Sequence, residues 1–290
     1  GAQILPDSAS SETLPPAGPS NQNTSPILSL RHVGKVFGGT VTALDDMSLD
    51  IYNGDFVSLL GPSGCGKSTA LRLIAGLMRP TQGRIVWPDD AAPVQTNREA
   101  VDDEHHDLGI VFQEPTLMPW ATVEDNVWLP LRLAGKRKSE VRDAIDEILS
   151  VVGLSGFEKS YPRELSGGMK MRVSIARAMV TKPKLILMDE PFAALDEITR
   201  FKLNNDLLDM KARIGCTVVF VTHSVFESVF LSNRVVVMAA RPGRVVQELR
   251  VDEAYPRKEE FRTSAEYAAY CRAASDALHG AIMDTNSEAA

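Results

Sequence analysis

Hydrophobic residues are spaced along this chain in two periods, one typical of strands and one typical of helices. Apolar and polar positions alternate in residues 27–37 and 47–51, which predicts two strands that each bury one face. Apolar runs predict buried strands at residues 56–60 and 184–188 and two further strands at 109–112 and 217–221. Helical spacing occurs at residues 69–77, 169–180 and 199–213. Strands that alternate with helices predict an α/β fold with a mostly parallel sheet covered on both faces.

The remaining segments add a helical region and a different C-terminal part. Apolar spacing is helical from residue 122 to about residue 160, and Pro130 and Gly153 are expected to break it. Further along, the pattern predicts a short helix at 226–233, a pair of strands at 235–238 and 244–249, and an amphipathic helix at 259–281. Residues 1–26 are rich in Pro, Ser and Asn without apolar periodicity, so we expect a disordered tail there.

Composition narrows the class of protein. The 290 residues carry a net charge of -7, and an acidic chain lacks the basic face that binding to nucleic acid requires. Three widely spaced cysteines, Cys65, Cys216 and Cys271, indicate neither a disulfide framework nor a zinc site and fit a reducing compartment. No apolar run approaches the ~18–20 residues that span a bilayer, so a role at a membrane would need another chain.

A glycine-rich segment links the buried strand at 56–60 to the helix at 69–77. Residues 61–68 read Gly-Pro-Ser-Gly-Cys-Gly-Lys-Ser, a full match to the phosphate-binding pattern G-x-x-x-x-G-K-[ST]. Glycines let backbone N–H groups wrap around a phosphate, and the following helix start adds the positive end of its dipole. In such a P-loop, Lys67 faces the β- and γ-phosphates and Ser68 offers a hydroxyl to Mg²⁺. Cys65 occupies a variable position of the motif and is expected to be a small filler.

Two carboxylates follow the apolar strand at 184–188. Asp189 and Glu190 end it directly, and ligands of open α/β sheets bind at the carboxyl ends of the strands. Asp189 could hold Mg²⁺ through water, and Glu190 could act as the general base on an attacking water. The pair could also be a solvated strand end, but the P-loop in the same chain favours the catalytic interpretation.

A second glycine pair opens another helix. Residues 165–169 read Leu-Ser-Gly-Gly-Met, and the helix that follows carries Lys170, Arg172 and Arg177. A helix start flanked by glycines could bind a second anion. Spacing alone favours a simpler interpretation, in which Ser166 is an N-cap with a glycine-rich entry.

These segments together resemble the nucleotide-binding subunits of ATP-binding-cassette (ABC) transporters, from about residue 27 to residue 243. The motifs occur in the order of that family: Walker A at 61–68, the Q-loop at Gln113, the signature at 165–169, Walker B at 185–190, the D-loop at 194–196 and the H-loop at His223. Met169 replaces the last residue of the LSGGQ signature, Met171 stands where these subunits commonly have Gln, and Ser224 stands where Asp is commonest. None of these changes alters the phosphate cradle or the base, so we expect ATP hydrolysis.

The resemblance implies ATP and Mg²⁺ as cofactors and a head-to-tail homodimer. Each ATP would lie between the Walker A motif of one subunit and the signature of the other. Catalysis would rest on Glu190, His223, Gln113 and Lys67, and Mg²⁺ would bind to Ser68, Gln113 and Asp189. The implied nucleotide contacts are Phe37, Gly61, Pro62, Ser63, Gly64, Cys65, Gly66, Lys67, Ser68, Thr69, Ser166, Gly167, Gly168 and Asp196. Phe37 would stack on adenine; a place in the hydrophobic core is the alternative for this ring.

The resemblance also implies an architecture and partners. The cassette would span residues 27–245, with a P-loop NTPase (RecA-like) core, an antiparallel β subdomain and an inserted helical subdomain at about 114–180. A C-terminal strand and helical extension would span 246–290. The expected partners are an integral membrane permease dimer and, indirectly, an extracytoplasmic substrate-binding protein, with no nucleic acid. The chain would be peripheral on the cytoplasmic face of the bacterial inner membrane.

The segment after the Q-loop suggests a subgroup. Residues 114–120, Glu-Pro-Thr-Leu-Met-Pro-Trp, resemble importers of nitrate, sulfonate and taurine. Close relatives of that group import pyrimidine vitamin precursors and other aromatic small molecules, which is the alternative. An ABC ATPase of DNA repair would carry a long coiled coil between Gln113 and Ser166, and one of translation would usually hold two cassettes. A non-hydrolysing nucleotide binder disagrees with the presence of Glu190 and His223.

One acidic segment leaves two interpretations open. Residues 89–107 include Asp102, Asp103, Glu104, His105 and His106. They could bind a metal, but adjacent histidines seldom ligate one ion together, so a solvated surface loop is favoured.

Overall fold

The computed structural model describes residues 25–64, 66–88 and 107–288. Its strands are β1 (Leu28–Phe37), β2 (Val41–Ile51), β3 (Phe56–Leu60), β4 (Gln82–Val86), β5 (Leu108–Val111), β6 (Leu185–Asp189), β7 (Thr217–Thr222), β8 (Arg234–Ala239) and β9 (Arg244–Arg250). Its α-helices are α1 (Lys67–Ile74), α2 (Val123–Leu133), α3 (Arg142–Val151), α4 (Gly167–Met179), α5 (Glu197–Ile214), α6 (Val225–Leu231) and α7 (Ala265–Glu288). Short 3₁₀ helices span Pro162–Glu164 and Glu259–Thr263.

Two sheets organise the described part of the chain. The larger has six strands in the order β5-β6-β7-β3-β8-β9. Its first five strands are parallel, and β9 pairs antiparallel to β8 at the edge. The smaller sheet is antiparallel, with β1 between β2 and β4. The prediction of an α/β fold with a mostly parallel sheet and an antiparallel β part is confirmed.

The central strands separate two hydrophobic cores. Phe56 and Leu60 of β3 face a core built with α2 to α7, whereas Val57 and Leu59 face a core built with α1 and the antiparallel sheet. Every residue of β3 is buried, which explains its continuous apolar run. Because parallel strands end at the same edge of a sheet, the segments after β3, β5, β6, β7 and β8 meet there.

The helical region differs from the prediction at its proline. α2 continues through Pro130 instead of breaking there. The proline ring removes the hydrogen bond to the carbonyl of Asn126, a loss of about 3 kcal/mol in a helix interior. Burial of Val123 and Val127 against the core holds the helix in spite of this loss. The expected break at Gly153 is confirmed, since α3 stops just before this residue, which has a φ of 76°.

The strand β4 was not predicted from the sequence. Residues 82–86 show no clear alternation, and the first three of them are exposed because β4 is an edge strand. Gly83, with a φ of 72°, passes so close to β1 that a Cβ would lie 2.1 Å from the carbonyl oxygen of His32. Close backbone pairing with β1 therefore positions this strand, and hydrophobic periodicity does not.

The C-terminal helix begins later than predicted. Glu259–Thr263 forms a 3₁₀ turn, and the hydroxyl of Ser264 then accepts a hydrogen bond from the N–H of Tyr267 at 3.1 Å. Phe261, Tyr267 and Cys271 are buried in the core that α6 shares.

Three predictions fall on residues that the structure does not describe. They concern the tail up to residue 24, Cys65 in the glycine-rich loop and the acidic segment up to residue 106.

Candidate active site

The glycine-rich loop runs from β3 to α1 at the carboxyl edge of the larger sheet. Gly64 and Gly66 have φ values of 78° and 84°, in the left-handed region that favours glycine. A Cβ on Gly66 would lie 2.6 Å from the carbonyl oxygen of Ala43 in β2, so the loop passes too close to β2 for a side chain. Gly66 is also the N-cap of α1, and it has no side chain to occupy the first N–H groups of the helix. Those groups can therefore bind an anion.

The side chain of Lys67 is buried at the base of this loop, with 4% of its area exposed. Its Nζ donates a hydrogen bond to the carbonyl of Gly61 at 2.5 Å and lies 3.4 Å from the carbonyl oxygen of Thr222. The same atom lies 3.5 Å from Oε1 of Glu190. The cation is thus held between the glycine-rich loop and the ends of β6 and β7.

Ser68 and Asp189 meet beside the lysine. The hydroxyl of Ser68 donates to Oδ1 of Asp189 at 3.0 Å. Burial raises the pKa of Asp189, and the negative charge of Glu190 raises it further. The hydrogen bond from Ser68 acts in the opposite direction and lowers this pKa. A cation at this position would favour the charged carboxylate, so the pair is suited to a divalent metal ion with oxygen ligands.

Glu190 is held by its backbone and by a histidine. Its φ of 44° is unusual for a residue with a side chain, and its N–H donates to the carbonyl of Val221 at 2.9 Å. Nδ1 of His223, just after β7, lies 3.4 Å from Oε1 of Glu190. The carboxylate is therefore fixed between Lys67 and His223 and is partly exposed.

Lys67, Ser68, Asp189 and Glu190 line a cleft of about 360 Å³, a size suited to a small-molecule ligand. In the described structure His223 contacts Glu190 but does not itself line this cleft. The predicted site residues that line it are Ser63, Gly64, Gly66, Lys67, Ser68, Thr69, Gln113, Asp189 and Glu190. Residues 41–43 of β2 and Arg241 complete the lining. No local pattern marks these last residues as part of a site, because only the packing of β2 against α1 and the pairing of β8 with β3 bring them there.

The signature and the D-loop lie elsewhere: in the described structure, neither residues 166–168 nor Asp196 line this cleft. Ser166 caps α4 by accepting a hydrogen bond from the N–H of Met169 at 3.2 Å. Gly168 packs so close to α5 that a Cβ would lie 2.9 Å from Cγ2 of Thr199. Asp196 caps α5 by accepting from the N–H and the hydroxyl of Thr199, and these hydrogen bonds lower its pKa.

Phe37, at the end of β1, is 41% exposed. The Nζ of Lys35 lies 5.3 Å from the centre of its ring. The ring is not part of the hydrophobic core, so the alternative considered for Phe37 is not what the structure shows. An exposed ring at this edge is available for stacking.

Sequence reasoning also missed the role of Arg177. This arginine of α4 donates to the carbonyls of Pro115 and Thr116 at 2.9 and 3.0 Å, and to the hydroxyl of Thr116 at 2.8 Å. It ties the helix that follows the signature to the segment that follows Gln113. The two segments are about sixty residues apart, so no short-range spacing could have revealed the link.

Comparison with known proteins gives the family. Residues 44–193, about half of the chain, match the ABC transporter family. A putative ATP-binding protein of Brucella abortus biovar 1 (strain 9-941) is 47% identical over 244 residues, which are 84% of this chain and 90% of that protein. This chain belongs to the ABC transporter family. It is an ATPase subunit, whose reaction is the hydrolysis of ATP to ADP and phosphate.

Other ABC proteins are similar over most of the chain. An "aliphatic sulfonates import ATP-binding protein SsuB" of Bacillus thuringiensis subsp. konkukian (strain 97-27) is 41% identical over 79% of this chain and 88% of its own length. The structure of cbiO1 from Clostridium perfringens, described as part of the transporter complex cbiONQ, has a TM-score of 0.71 at 28% identity and covers 83% of this chain and 94% of cbiO1. The ATP-binding cassette MJ0796, a dimer in a post-hydrolysis state with ADP and phosphate, has a TM-score of 0.65 at 34% identity, over 78% of this chain and all of MJ0796.

None of the described helices combines the length and the hydrophobicity that crossing a bilayer requires.

Proposed function

We propose that this ABC ATPase energises an importer for a small organic or inorganic anion, such as a sulfonate, taurine or nitrate. The 41% identity to a protein named for aliphatic sulfonate import supports this substrate class most directly. The segment at 114–120 is consistent with it. The chain itself transfers a phosphoryl group to water, so a separate permease and a substrate-binding protein would select the anion.

The geometry around Glu190 supports a catalytic role for each group of the cleft. The phosphates of ATP would lie along the backbone of residues 61–68, with the charge of Lys67 next to the β- and γ-phosphates. Oε1 of Glu190 would take the proton of the water that attacks the γ-phosphate, and His223, 3.4 Å from that oxygen, would orient it. Gln113 lines the same cleft and would hold the attacking water in line. Positioning and electrostatics therefore supply most of the rate enhancement.

Mg²⁺ would bind next to Ser68 and Asp189, with Gln113 as a further oxygen donor. The hydrogen bond between Ser68 and Asp189 and the raised pKa of Asp189 support this site, because a cation would relieve the buried charge. In the described part of the chain, no group of three or more His, Cys, Asp or Glu side chains could hold a metal ion. Phosphate oxygens and water would therefore supply the other ligands, and the ion would neutralise charge on the phosphates.

A homodimer would complete each site. Ser166 and Gly167 are exposed and lie outside the cleft of their own chain. In a head-to-tail pair they could, with Gly168 and Asp196, reach the nucleotide of the partner subunit. The similarity to MJ0796, a dimeric cassette, supports a dimer. Together with a permease dimer, this assembly would place the chain on the cytoplasmic face of the bacterial inner membrane. The similarity to cbiO1, part of a transporter complex, supports a membrane partner.

Replacing the base tests the catalytic assignment. Glu190→Gln keeps the shape of the side chain but cannot accept the proton, so we expect ATP turnover to fall by about 10²-fold or more. Binding of ATP should survive, because the phosphate cradle is unchanged. Phosphate release and nucleotide binding would be measured side by side, with Glu266→Gln on the exposed first turn of α7 as control. A Glu190→Gln enzyme that turns over at the wild-type rate would remove Glu190 from the mechanism.

The substrate class needs a separate experiment. The tagged chain would be purified with its partners from detergent-solubilised native membranes, and the copurified permease identified by mass spectrometry. The binding protein that belongs to this permease would then be titrated with sulfonates, taurine, nitrate and pyrimidines. Binding of a sulfonate, taurine or nitrate is the expected result, and selective binding of a pyrimidine would contradict the proposal.

A further inference from the structure

Arg241 lies at the cleft, on the side away from the catalytic carboxylates. In the strand order β6-β7-β3-β8, Asp189 ends β6 and Glu190 follows it, whereas Arg241 follows β8 on the other side of β3. These strands are parallel, so both segments end at the same edge, and both line the cleft around the glycine-rich loop. A nucleotide whose γ-phosphate faces Glu190 would therefore extend its α-phosphate and ribose toward Arg241.

The loop that carries Arg241 is tied to the glycine-rich loop through β2. The N–H of Gly243 donates to the carbonyl of Ala43 at 3.0 Å, and the N–H of Asp45 donates to the carbonyl of Gly243 at 2.8 Å. The carbonyl of Ala43 is also the atom that a Cβ on Gly66 would meet. Arg241 is thus held near the start of α1, where phosphates bind.

The charges of the cleft leave a role for this arginine. The acidic residues that line the cleft are Asp189 and Glu190, and the cationic residues that line it are Lys67 and Arg241. Glu190 lies 3.5 Å from Lys67 and offsets part of that cation. Across residues 25–64, 66–88 and 107–288, the guanidinium of Arg241 has no hydrogen bond or ion pair, and its residue has a φ of 55°. A guanidinium without a protein partner beside a phosphate cradle suits an anionic ligand.

We propose that Arg241 binds the nucleotide, pairing with the phosphate chain at its ribose end. This inference rests on the proposed ATP site and adds to it a contact that no motif of the sequence supplies. The contact is common to ATP and ADP, because it does not involve the γ-phosphate. It contributes to affinity and leaves the chemical step to Glu190, which lies on the other side of the loop.

Isothermal titration calorimetry of the full chain with MgADP and with the magnesium complex of AMPPNP, a non-hydrolysable ATP analogue, tests the proposal. Arg241→Ala should raise both dissociation constants alike, by about tenfold, as expected for one charge-assisted contact at an accessible site. Arg241→Lys keeps the charge but loses the planar guanidinium, so its dissociation constants should lie between those of the wild type and those of Arg241→Ala. The control is Arg244→Ala. It removes the same charge three residues further along the chain, and Arg244 does not line the cleft in the described structure. Steady-state hydrolysis should show a KM for ATP raised by about tenfold, with kcat within about twofold.

The outcomes separate this inference from the proposed function. If the wild-type chain bound neither nucleotide, the ATP site itself would fail. If the wild-type chain bound both nucleotides, and the two variants Arg241→Ala and Arg241→Lys bound them as tightly as the wild type, the role of Arg241 would be overturned. A loss confined to AMPPNP would also overturn it, since the contact would then be to the γ-phosphate. Circular dichroism of each variant separates weakened binding from loss of folding.

Discussion

Gly66 and Gly54 have the same φ of 84° but very different surroundings. A Cβ on Gly66 would lie 2.6 Å from a backbone oxygen, whereas a Cβ on Gly54, in the turn before β3, meets no atom of the described structure within 4 Å. The two glycines therefore separate the strain of a left-handed backbone from the need for close approach.

Alanine substitution at both positions should show this difference. Gly54→Ala should lower the free energy of unfolding by about 1–2 kcal/mol, the penalty of a left-handed L-residue. Gly66→Ala should lower it by about 1–3 kcal/mol more, because the loop must move away from Ala43. It should also lose ATP binding, which Gly54→Ala should keep. Urea unfolding and ATP titration would measure both effects, and equal losses of stability would show that the contact with Ala43 carries no weight.

At the same scale, the sequence predicts part of the site well. Lys67, Ser68, Asp189 and Glu190 stand in short motifs that follow buried strands, and the structure brings them together because parallel strands end at one edge. Arg241 stands in no such motif. It lines the cleft only because β8 pairs with β3, and strand order is not encoded in local spacing.

Glu124 organises the helical region at the scale of elements. It lies in the first turn of α2 with 1% of its area exposed, and it accepts hydrogen bonds from Lys138, Arg142 and Lys159 at 2.8, 2.6 and 2.5 Å. Burial alone would raise the pKa of Glu124, but these three cations outweigh it and lower the pKa to about 2. The carboxylate thus links α2 to the following loop, to α3 and to the segment before α4.

Neutralising this carboxylate should destabilise the protein in a pH-dependent way. Glu124→Gln leaves three cations around a neutral group, so the free energy of unfolding at pH 7 should fall by roughly 3–5 kcal/mol. A lowered folded-state pKa stabilises the fold above the ordinary value of 4.5, and this contribution is lost as the pH falls toward about 2. The difference in free energy of unfolding between wild type and Glu124→Gln should therefore shrink as the pH falls from roughly 5 to 3.

Urea unfolding at several pH values would test this. Glu147→Gln is the matched control, because Glu147 is exposed on α3 and 3.8 Å from an exposed lysine. It should change stability by no more than about 0.5 kcal/mol at any pH. A constant difference between wild type and Glu124→Gln across the pH range would show that the ion cluster is not the cause.

Elements are predictable where burial alone decides them. β3, β6 and β7 have nearly all of their residues buried, and their apolar runs mark their positions to within about a residue. β4 and the course of α2 through Pro130 escape prediction for opposite reasons. β4 buries too little apolar surface to leave a hydrophobic pattern in the sequence. α2 buries enough of it to form a helix in spite of Pro130.

At the scale of the whole molecule, the C-terminal part is joined to α6, the helix that follows His223. Arg257 is 6% exposed, and its six hydrogen bonds all go to backbone carbonyls. Three of these carbonyls, at Val229, Phe230 and Ser232, end α6 or follow it. A cation at the C-terminal end of a helix satisfies the unpaired carbonyls and the negative end of the dipole together.

Removing this cation should loosen the C-terminal part from the cassette. Arg257→Met keeps much of the length of the side chain but leaves several buried carbonyls without a donor, so we expect a loss of roughly 3 kcal/mol or more. For a chain of this size, that corresponds to a fall in melting temperature of about 5–10 °C. Arg272→Met, an exposed arginine on α7, is the control and should melt near the wild-type temperature. If Arg257→Met also melted near the wild-type temperature, α6 would be held by its apolar contacts with Phe261 and Tyr267 and would not depend on the buried cation.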